Sequence, residues 1–95
     1  MTRLRARRDL NHAEIRDAFR RLGWSVWDTA AMGHGAPDLV CGKHGRNVLV
    51  EVKSPGGALT QDEADFSGAW CGEYVTVRCL ADVIRLTEEV SQRQK

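Results

Sequence analysis

The strongest strand signal in this 95-residue chain lies at residues 47–53, which read Asn-Val-Leu-Val-Glu-Val-Lys. A run this continuously apolar and rich in valine is typical of a strand that is covered on both faces inside a sheet. A chain of this length builds one modest core. We therefore predict a single α/β domain with this strand at the centre of a mixed sheet, and Glu51, an acid inside the run, needs a specific explanation.

Three helices are predicted around this strand. Asn11 and Glu14 have the spacing of a capping box, followed by an apolar stripe up to Gly23, where the first helix should end. Thr60 and Glu63 have the same spacing before a second helix, which should run to about residues 71–72. We expect that helix to bury Ala64, Phe66 and Trp70 or near neighbours. A final helix is predicted from residue 81 to about residue 90.

The other strands are predicted from β-branched and aromatic content between turn signals, at residues 24–29, 38–41 and 74–78. The Gly-rich loop 30–37 separates the first two, and a turn at 42–46 connects the second to the central strand. The resulting order of elements is α-β-β-β-α-β-α, with helices flanking one mixed sheet. The three tryptophans are expected mainly in the core.

The charge distribution is more informative than the net charge of +1. Residues 1–21 contain seven arginines and only three acids, and we interpret residues 1–10 as a basic N-terminal arm with little fixed structure, ahead of one domain at 11–95. A basic arm suits contact with phosphate, although a solvated terminus would have the same composition. The charged start is unlike a secretory signal, and no apolar run reaches the ~20 residues of a membrane helix, so we expect a cytoplasmic protein without a membrane partner.

Two carboxylates and a lysine are predicted to meet at one end of the sheet. If strands 38–41 and 47–53 form a hairpin, a register with Cys41 opposite Val48 places Asp38 next to Glu51. Glu51 and Lys53 share a face because side chains alternate along a strand. Adjacent carboxylates repel, and a divalent cation is the usual compensation.

Magnesium suits this group because it prefers hard oxygen ligands and is often held by one or two carboxylates together with substrate phosphates. The backbone carbonyl of Val52 is a candidate further ligand. A bound magnesium polarises a phosphodiester and lowers the pKa of water. Lys53 is then suited to stabilise the negative charge of the transition state.

These residues resemble the signature of the PD-(D/E)XK nucleases. The matching segments are Gly35-Ala-Pro-Asp38, Glu51-Val-Lys53 and the following Ser-Pro, and they look most like the small stand-alone VRR-NUC-type domains common in phages. The similarity covers about residues 11–83. It implies a restriction-endonuclease-like fold, a magnesium-dependent nuclease in which manganese substitutes, no organic cofactor, and a bacterial or phage-infected host cell.

The resemblance also implies roles for individual residues. Asp38 and Glu51 would be the metal carboxylates and Lys53 the catalytic lysine. Glu14 matches an additional acid that related domains place near the metal, but it is equally well explained as a helix cap. A family glutamine follows the lysine, and either Gln61 or Glu63 falls near that place.

The predicted partner is DNA, cut as an endonuclease with structure selectivity for junctions, flaps or nicked duplex and with weak sequence preference. A homodimer is predicted because one site cuts one strand. Two alternatives stay open: a DNA-binding module without catalysis, and a subunit of a phage packaging or restriction complex that needs a partner to cut.

Overall fold

The computed structural model describes residues 2–93, with side chains for residues 11–92. Within that range the elements are α1 (Thr2–Arg21), β1 (Ser25–Asp28), β2 (Leu39–Lys43), β3 (Arg46–Val52), α2 (Gln61–Ala69), β4 (Tyr74–Val77) and α3 (Leu80–Arg93), with a 3₁₀ turn at Ala30–Met32. This confirms the α/β fold and the predicted order of elements. None of the helices in the described range is long and apolar enough to cross a membrane.

The strands form one mixed sheet in the order β1-β2-β3-β4. β2 runs antiparallel to both of its neighbours, β1 and β3, and β4 runs parallel to β3. The predicted position of β3 is confirmed, since it has a neighbour on each side and Val50, Glu51 and Val52 are all buried. Cys41 lies opposite Val48, which is the predicted register.

The hydrophobic core lies between one face of the sheet and the helices α1 and α3. It is formed by buried side chains from α1, the sheet and α3: Ile15, Ala18, Phe19, Trp24, Leu39, Cys41, Val48, Val50, Val52, Val77, Val83, Leu86 and Val90. The indole of Trp24 packs edge-on against Phe19 with ring centres 5.3 Å apart and donates to Thr87 Oγ1 at 2.9 Å. This core fixes α1 and α3 on one face and leaves the opposite face for Glu51.

The first helix differs from its prediction at the N-terminus. It begins at Thr2, so residues 2–10 have helical backbone, and the predicted capping box of Asn11 and Glu14 is wrong because both residues lie within the helix. Residues 2–10 are mostly arginine, leucine and alanine, which favour helix and contain no breaker. The side chains of residues 1–10, on which the arm's contact with phosphate depends, lie outside the described ones.

The second helix begins as predicted but buries less than predicted. Thr60 and Glu63 form the full capping box, each side chain bonded to the other's backbone. The helix has no buried residue: Ala64 is exposed and Phe66 is half-buried. The expectation of three buried side chains is therefore wrong: the α2 side chains meet the sheet through the ion pair of Glu63 with Lys53 and the ring contact of Phe66 with Tyr74.

The tryptophans also divide between core and surface. Trp24 is buried as expected, whereas Trp27 and Trp70 are 65% and 46% exposed. Trp27 lies on edge strand β1 and faces away from the core helices, since its neighbour Val26 packs against the core. Trp70 stacks on Phe66 with ring centres 5.8 Å apart at the C-terminal end of α2. The core prediction thus holds for one tryptophan of three.

Candidate metal centre

The start of β2 is anchored to its neighbours on both sides. The backbone N–H of Thr29 donates to the carbonyl of Asp38 at 2.8 Å, and its hydroxyl donates to the carbonyl of Pro37 at 2.7 Å. On the other side, the N–H of Asp38 donates to the carbonyl of Val50 at 3.0 Å. The loop that ends at Pro37 therefore delivers Asp38 to the sheet in a fixed position.

Glycine is required in that loop where it approaches α2. Gly35 has φ +81°, and a Cβ built on it would lie 2.5 Å from the carbonyl oxygen of Asp62. Any side chain at this position would push the loop away from the first turn of α2. The Gly-rich sequence before Asp38 thus allows the loop and the helix to close together around the end of the sheet.

The carboxylates of Asp38 and Glu51 lie next to each other. Asp38 Oδ2 accepts a hydrogen bond from the N–H of Val52 at 2.8 Å, which ties the carboxylate to β3. Glu51 is 1% exposed, and burial followed by the charge of Asp38 raises its pKa to about 9. The two residues that the sequence paired are therefore adjacent, and the second of them is held in a place unfavourable to its charge.

Lys53 lies beside this pair. Its amino group is 3.8 Å from Glu51 Oε2 and 2.7 Å from Glu63 Oε1, and the side chain is 9% exposed. The backbone on both sides of the residue is also bonded, because its N–H donates to the carbonyl of Val77 at 3.0 Å and its carbonyl accepts from Asn11 Nδ2 at 3.1 Å. Asn11 therefore links α1 to this site.

Glu63 belongs to the site as well as to the helix cap. Its Oε1 accepts from the N–H of Thr60 at 2.8 Å and from Lys53. Burial acts to raise the pKa of Glu63, but the hydrogen bonds from Lys53 and Thr60 outweigh it and lower the pKa to about 2. Of the two residues considered for the family glutamine, Glu63 is the one that contacts Lys53.

Gln61 and Glu14 lie elsewhere. The side chain of Gln61 is exposed and donates to Asp65 Oδ1 at 2.8 Å, along the outer surface of α2. Glu14 is exposed on α1, one turn beyond Asn11, and it is Asn11 that reaches the site. Of the six predicted residues, Asp38, Glu51, Val52 and Lys53 are brought together by the structure, whereas Gln61 and Glu14 are not.

Tyr74 is a site residue that the sequence did not indicate. Its hydroxyl is buried and has no hydrogen-bond partner among the described residues. Burial, followed by the charges of Glu51, Glu63 and Asp38, raises its pKa to about 12. The parallel pairing of β3 and β4 places Tyr74 beside Leu49, on the face that carries Glu51. That pairing is visible only once the strand order is known.

The oxygen atoms present fit magnesium. In the described part of the chain no three His, Cys, Asp or Glu side chains form a ready ligand cluster, so the site amounts to the carboxylates of Asp38 and Glu51, the first of them bonded to the N–H of Val52. Glu51 Oε1 is buried without a hydrogen-bond partner, which leaves an acceptor free for a cation. Magnesium is commonly held by one or two carboxylates, with waters and substrate phosphate completing its shell.

The pKa of Glu51 predicts how stability depends on pH without metal. Between pH 4.5 and about 9 the folded state keeps a proton that the unfolded chain has released, so the free energy of unfolding should fall as pH rises through this window. Glu51→Gln should abolish that fall and be more stable than the wild type near pH 9. Chemical denaturation in EDTA measures this, with exposed Glu88→Gln as control. A Glu51→Gln profile parallel to that of the wild type would contradict the burial of the charge.

No family model, curated protein or solved structure matches this chain.

Proposed function

We propose that the chain is a metal-dependent endonuclease of the PD-(D/E)XK type, which hydrolyses DNA phosphodiester bonds with magnesium or manganese. The observation that carries this proposal is the adjacency of Asp38 and Glu51 at the end of two neighbouring strands, with the amino group of Lys53 3.8 Å from Glu51. Two carboxylates and one lysine of this kind suit magnesium and a reacting phosphate.

The chain's own residues have distinct tasks in this proposal. Asp38, fixed by the N–H of Val52, and Glu51 supply oxygen atoms to the cation, which when bound polarises the phosphodiester and activates a water. Lys53 places a positive charge where negative charge develops on the phosphate oxygens. Glu63 and the backbone bonds of Lys53 hold that amino group in place, so little reorganisation is needed during the reaction.

The alternative of a DNA-binding module without catalysis is disfavoured by the position of Glu51. A buried carboxyl with a raised pKa lowers stability at neutral pH, and a negative charge opposes a polyanion. A protein that only bound DNA would gain nothing from the lost stability or from the negative charge of this carboxylate. The alternative of a partner-dependent subunit makes a different prediction, since the isolated chain would then bind DNA without cutting it.

Cleavage by the isolated chain tests the proposal and its substrate class. Linear duplex, flap, nicked duplex and four-way-junction DNA are incubated with magnesium, manganese or EDTA. We expect cutting with either metal, none in EDTA, and faster cutting of the branched or nicked substrates. Equal rates on all four substrates would remove the structure selectivity and leave the nuclease activity.

The arginines of the basic N-terminal arm are proposed to contact DNA phosphates. Arg3, Arg5, Arg7 and Arg8 lie in a helical stretch, so replacing all four by glutamine is preferable to deleting the segment. For each phosphate on duplex DNA that the arm no longer neutralises, the slope of log affinity against log salt should become shallower by about 0.9. Binding is measured at several salt concentrations for both forms of the chain. Identical slopes would show that the arm does not contact the duplex.

A homodimer is the proposed active form, because a twofold pair of sites can cut two opposed strands. Exposed aromatic rings support an interface: Trp27 is 65% exposed, and Trp70, stacked on the half-buried Phe66, is 46% exposed. Light scattering coupled to size exclusion should give twice the 10.6 kDa of one chain. A single 10.6 kDa chain per particle, both alone and after the mass of bound DNA is subtracted, combined with cutting of both strands, would contradict the dimer.

A further inference from the structure

Arg78 lies next to Lys53 at the end of the sheet. The ladder between the parallel strands ends with Val52 opposite Val77, and Lys53 N–H donates to the carbonyl of Val77. Lys53 and Arg78, the next residue along each strand, therefore lie side by side, because neighbouring strand backbones are about 4.8 Å apart. By the alternation of side chains, Arg78 belongs to the face that carries Thr76 and Glu51.

The guanidinium of Arg78 has no counter-charge among the described side chains. Its Nη1 is buried without a hydrogen-bond partner, and none of the described carboxylates forms an ion pair with it. The backbone N–H of Arg78 is bonded to Asp82, but the Asp82 side chain pairs with Arg85 instead. Arg46, which also has a buried Nη1, pairs with Glu73 through its other nitrogens.

An unpaired guanidinium nitrogen in a buried place lowers stability unless something binds it. The described side chains include four buried polar atoms without partners, and three of them belong to this one face: Glu51 Oε1, Tyr74 Oη and Arg78 Nη1. One is an acceptor suited to a cation, and two are donors suited to an anion. Unsatisfied groups of opposite kinds on one face of the sheet indicate a ligand that carries both a metal and phosphate oxygens.

We propose that Arg78 binds the DNA phosphate at the metal centre through its non-bridging oxygens. This assignment rests on the proposed function. The planar guanidinium matches a phosphate with two parallel hydrogen bonds, which a lysine cannot reproduce. Lys53 and Arg78 then divide the work: Lys53, already held by Glu63, acts on charge that develops during the reaction, and Arg78 holds the substrate before it reacts.

The test compares Arg78→Gln and Arg78→Lys with Arg85→Gln. Arg85 is a matched control because it is 71% exposed, paired with Asp82, and carried by α3 on the other side of the sheet. Binding of a labelled duplex is followed by fluorescence anisotropy at several salt concentrations, with calcium replacing magnesium because it also takes oxygen ligands. Cleavage kinetics are measured separately with magnesium, and thermal unfolding is recorded for each variant.

Arg78→Gln should weaken binding about tenfold or more and make the salt slope shallower by about 0.9. Its KM should rise while kcat stays the same, because the substitution removes an interaction that is equally strong in the ground and transition states. Arg78→Lys should keep the salt slope and recover part of the affinity. Arg85→Gln should match the wild type, and the unfolding temperature of Arg78→Gln should not fall.

The outcomes separate this assignment from the proposed function. If Arg78→Gln binds as Arg85→Gln does while the wild type cleaves, the phosphate role is overturned and the nuclease stands. If binding depends on Arg78 but the wild type never cleaves, the nuclease is overturned and the phosphate role stands. A lowered unfolding temperature for Arg78→Gln would identify a structural role and overturn the assignment, and a wild type that binds no DNA would overturn both.

Discussion

Asp38→Asn should eliminate magnesium-dependent cleavage of DNA while the chain stays folded. The amide oxygen of asparagine still accepts the hydrogen bond that Val52 N–H donates to Asp38 Oδ2, so the end of β2 keeps its position. The substitution removes the negative charge that binds the cation. Cleavage is measured over a magnesium titration, and folding is checked by circular dichroism.

Glu51→Gln should also eliminate cleavage, because it too removes a negative charge from the proposed metal site. Unlike Asp38→Asn, it should also change stability. Glu51 is buried beside Asp38, so removing its charge relieves a repulsion and should raise stability at alkaline pH. Glu88→Gln, which removes an exposed glutamate from α3, should cleave as the wild type does. Full cleavage by purified Asp38→Asn at ordinary magnesium concentrations would show that the metal centre has been misplaced.

Lys53→Met should lower kcat by about two to three orders of magnitude, as is typical when one preorganised charge stabiliser is removed. KM and magnesium affinity should change little, because the oxygen ligands remain. The variant also loses the ion pair between Lys53 and Glu63, so the pKa of Glu63 should return toward 4.5. To keep any loss of stability from affecting the rate, assays are run well below the unfolding temperature measured for the variant.

Lys43→Met provides the matched control for Lys53. Lys43 is a partly buried lysine of the same sheet, but it ends β2 at the opposite end of the hairpin, beside the turn that leads into β3. This control should keep kcat close to that of the wild type. If Lys53→Met turned over normally at saturating magnesium but required much more metal, Lys53 would serve metal binding instead of stabilising the transition state.

The centre of the fold was predictable because local patterns and tertiary packing agree there. Val48, Val50 and Val52 are buried on the core face, and Glu51 and Lys53 are buried on the other, which agrees with the central strand predicted at residues 47–53. The hairpin register that places Cys41 opposite Val48 and Asp38 next to Glu51 was a hypothesis from the sequence, and the structure has this register. The capping box of Thr60 and Glu63 was predictable for the same reason, since it depends only on residues three apart.

The errors lie where several elements compete for one residue. Asn11 and Glu14 have capping spacing, but the helix-favouring residues 2–10 continue the helix past them, and Asn11 bonds to Lys53 instead. Glu63 was considered as a helix cap and for the place of the family glutamine. It forms the cap and also contacts Lys53, a combination that spacing alone does not reveal.

Contacts across the parallel strands β3 and β4 could not be predicted from the sequence. Tyr74 and Arg78 come to the site only through the pairing of β3 with β4, which are separated in the chain by the whole of α2. The exposure of Trp27 and Trp70 likewise depends on which face of the sheet the helices cover. A pattern of residue types predicts that aromatic residues are buried, and only the topology determines which of them are.

The most direct test of the central claim is metal-dependent cleavage of linear duplex DNA by the purified wild-type chain. The protein is stripped with EDTA, assayed, and assayed again after magnesium is restored. The proposed metal centre of Asp38 and Glu51 predicts no cutting in EDTA and full recovery with magnesium. Cutting that persists in EDTA, or a chain that binds the duplex and leaves it intact at every magnesium concentration, would contradict it.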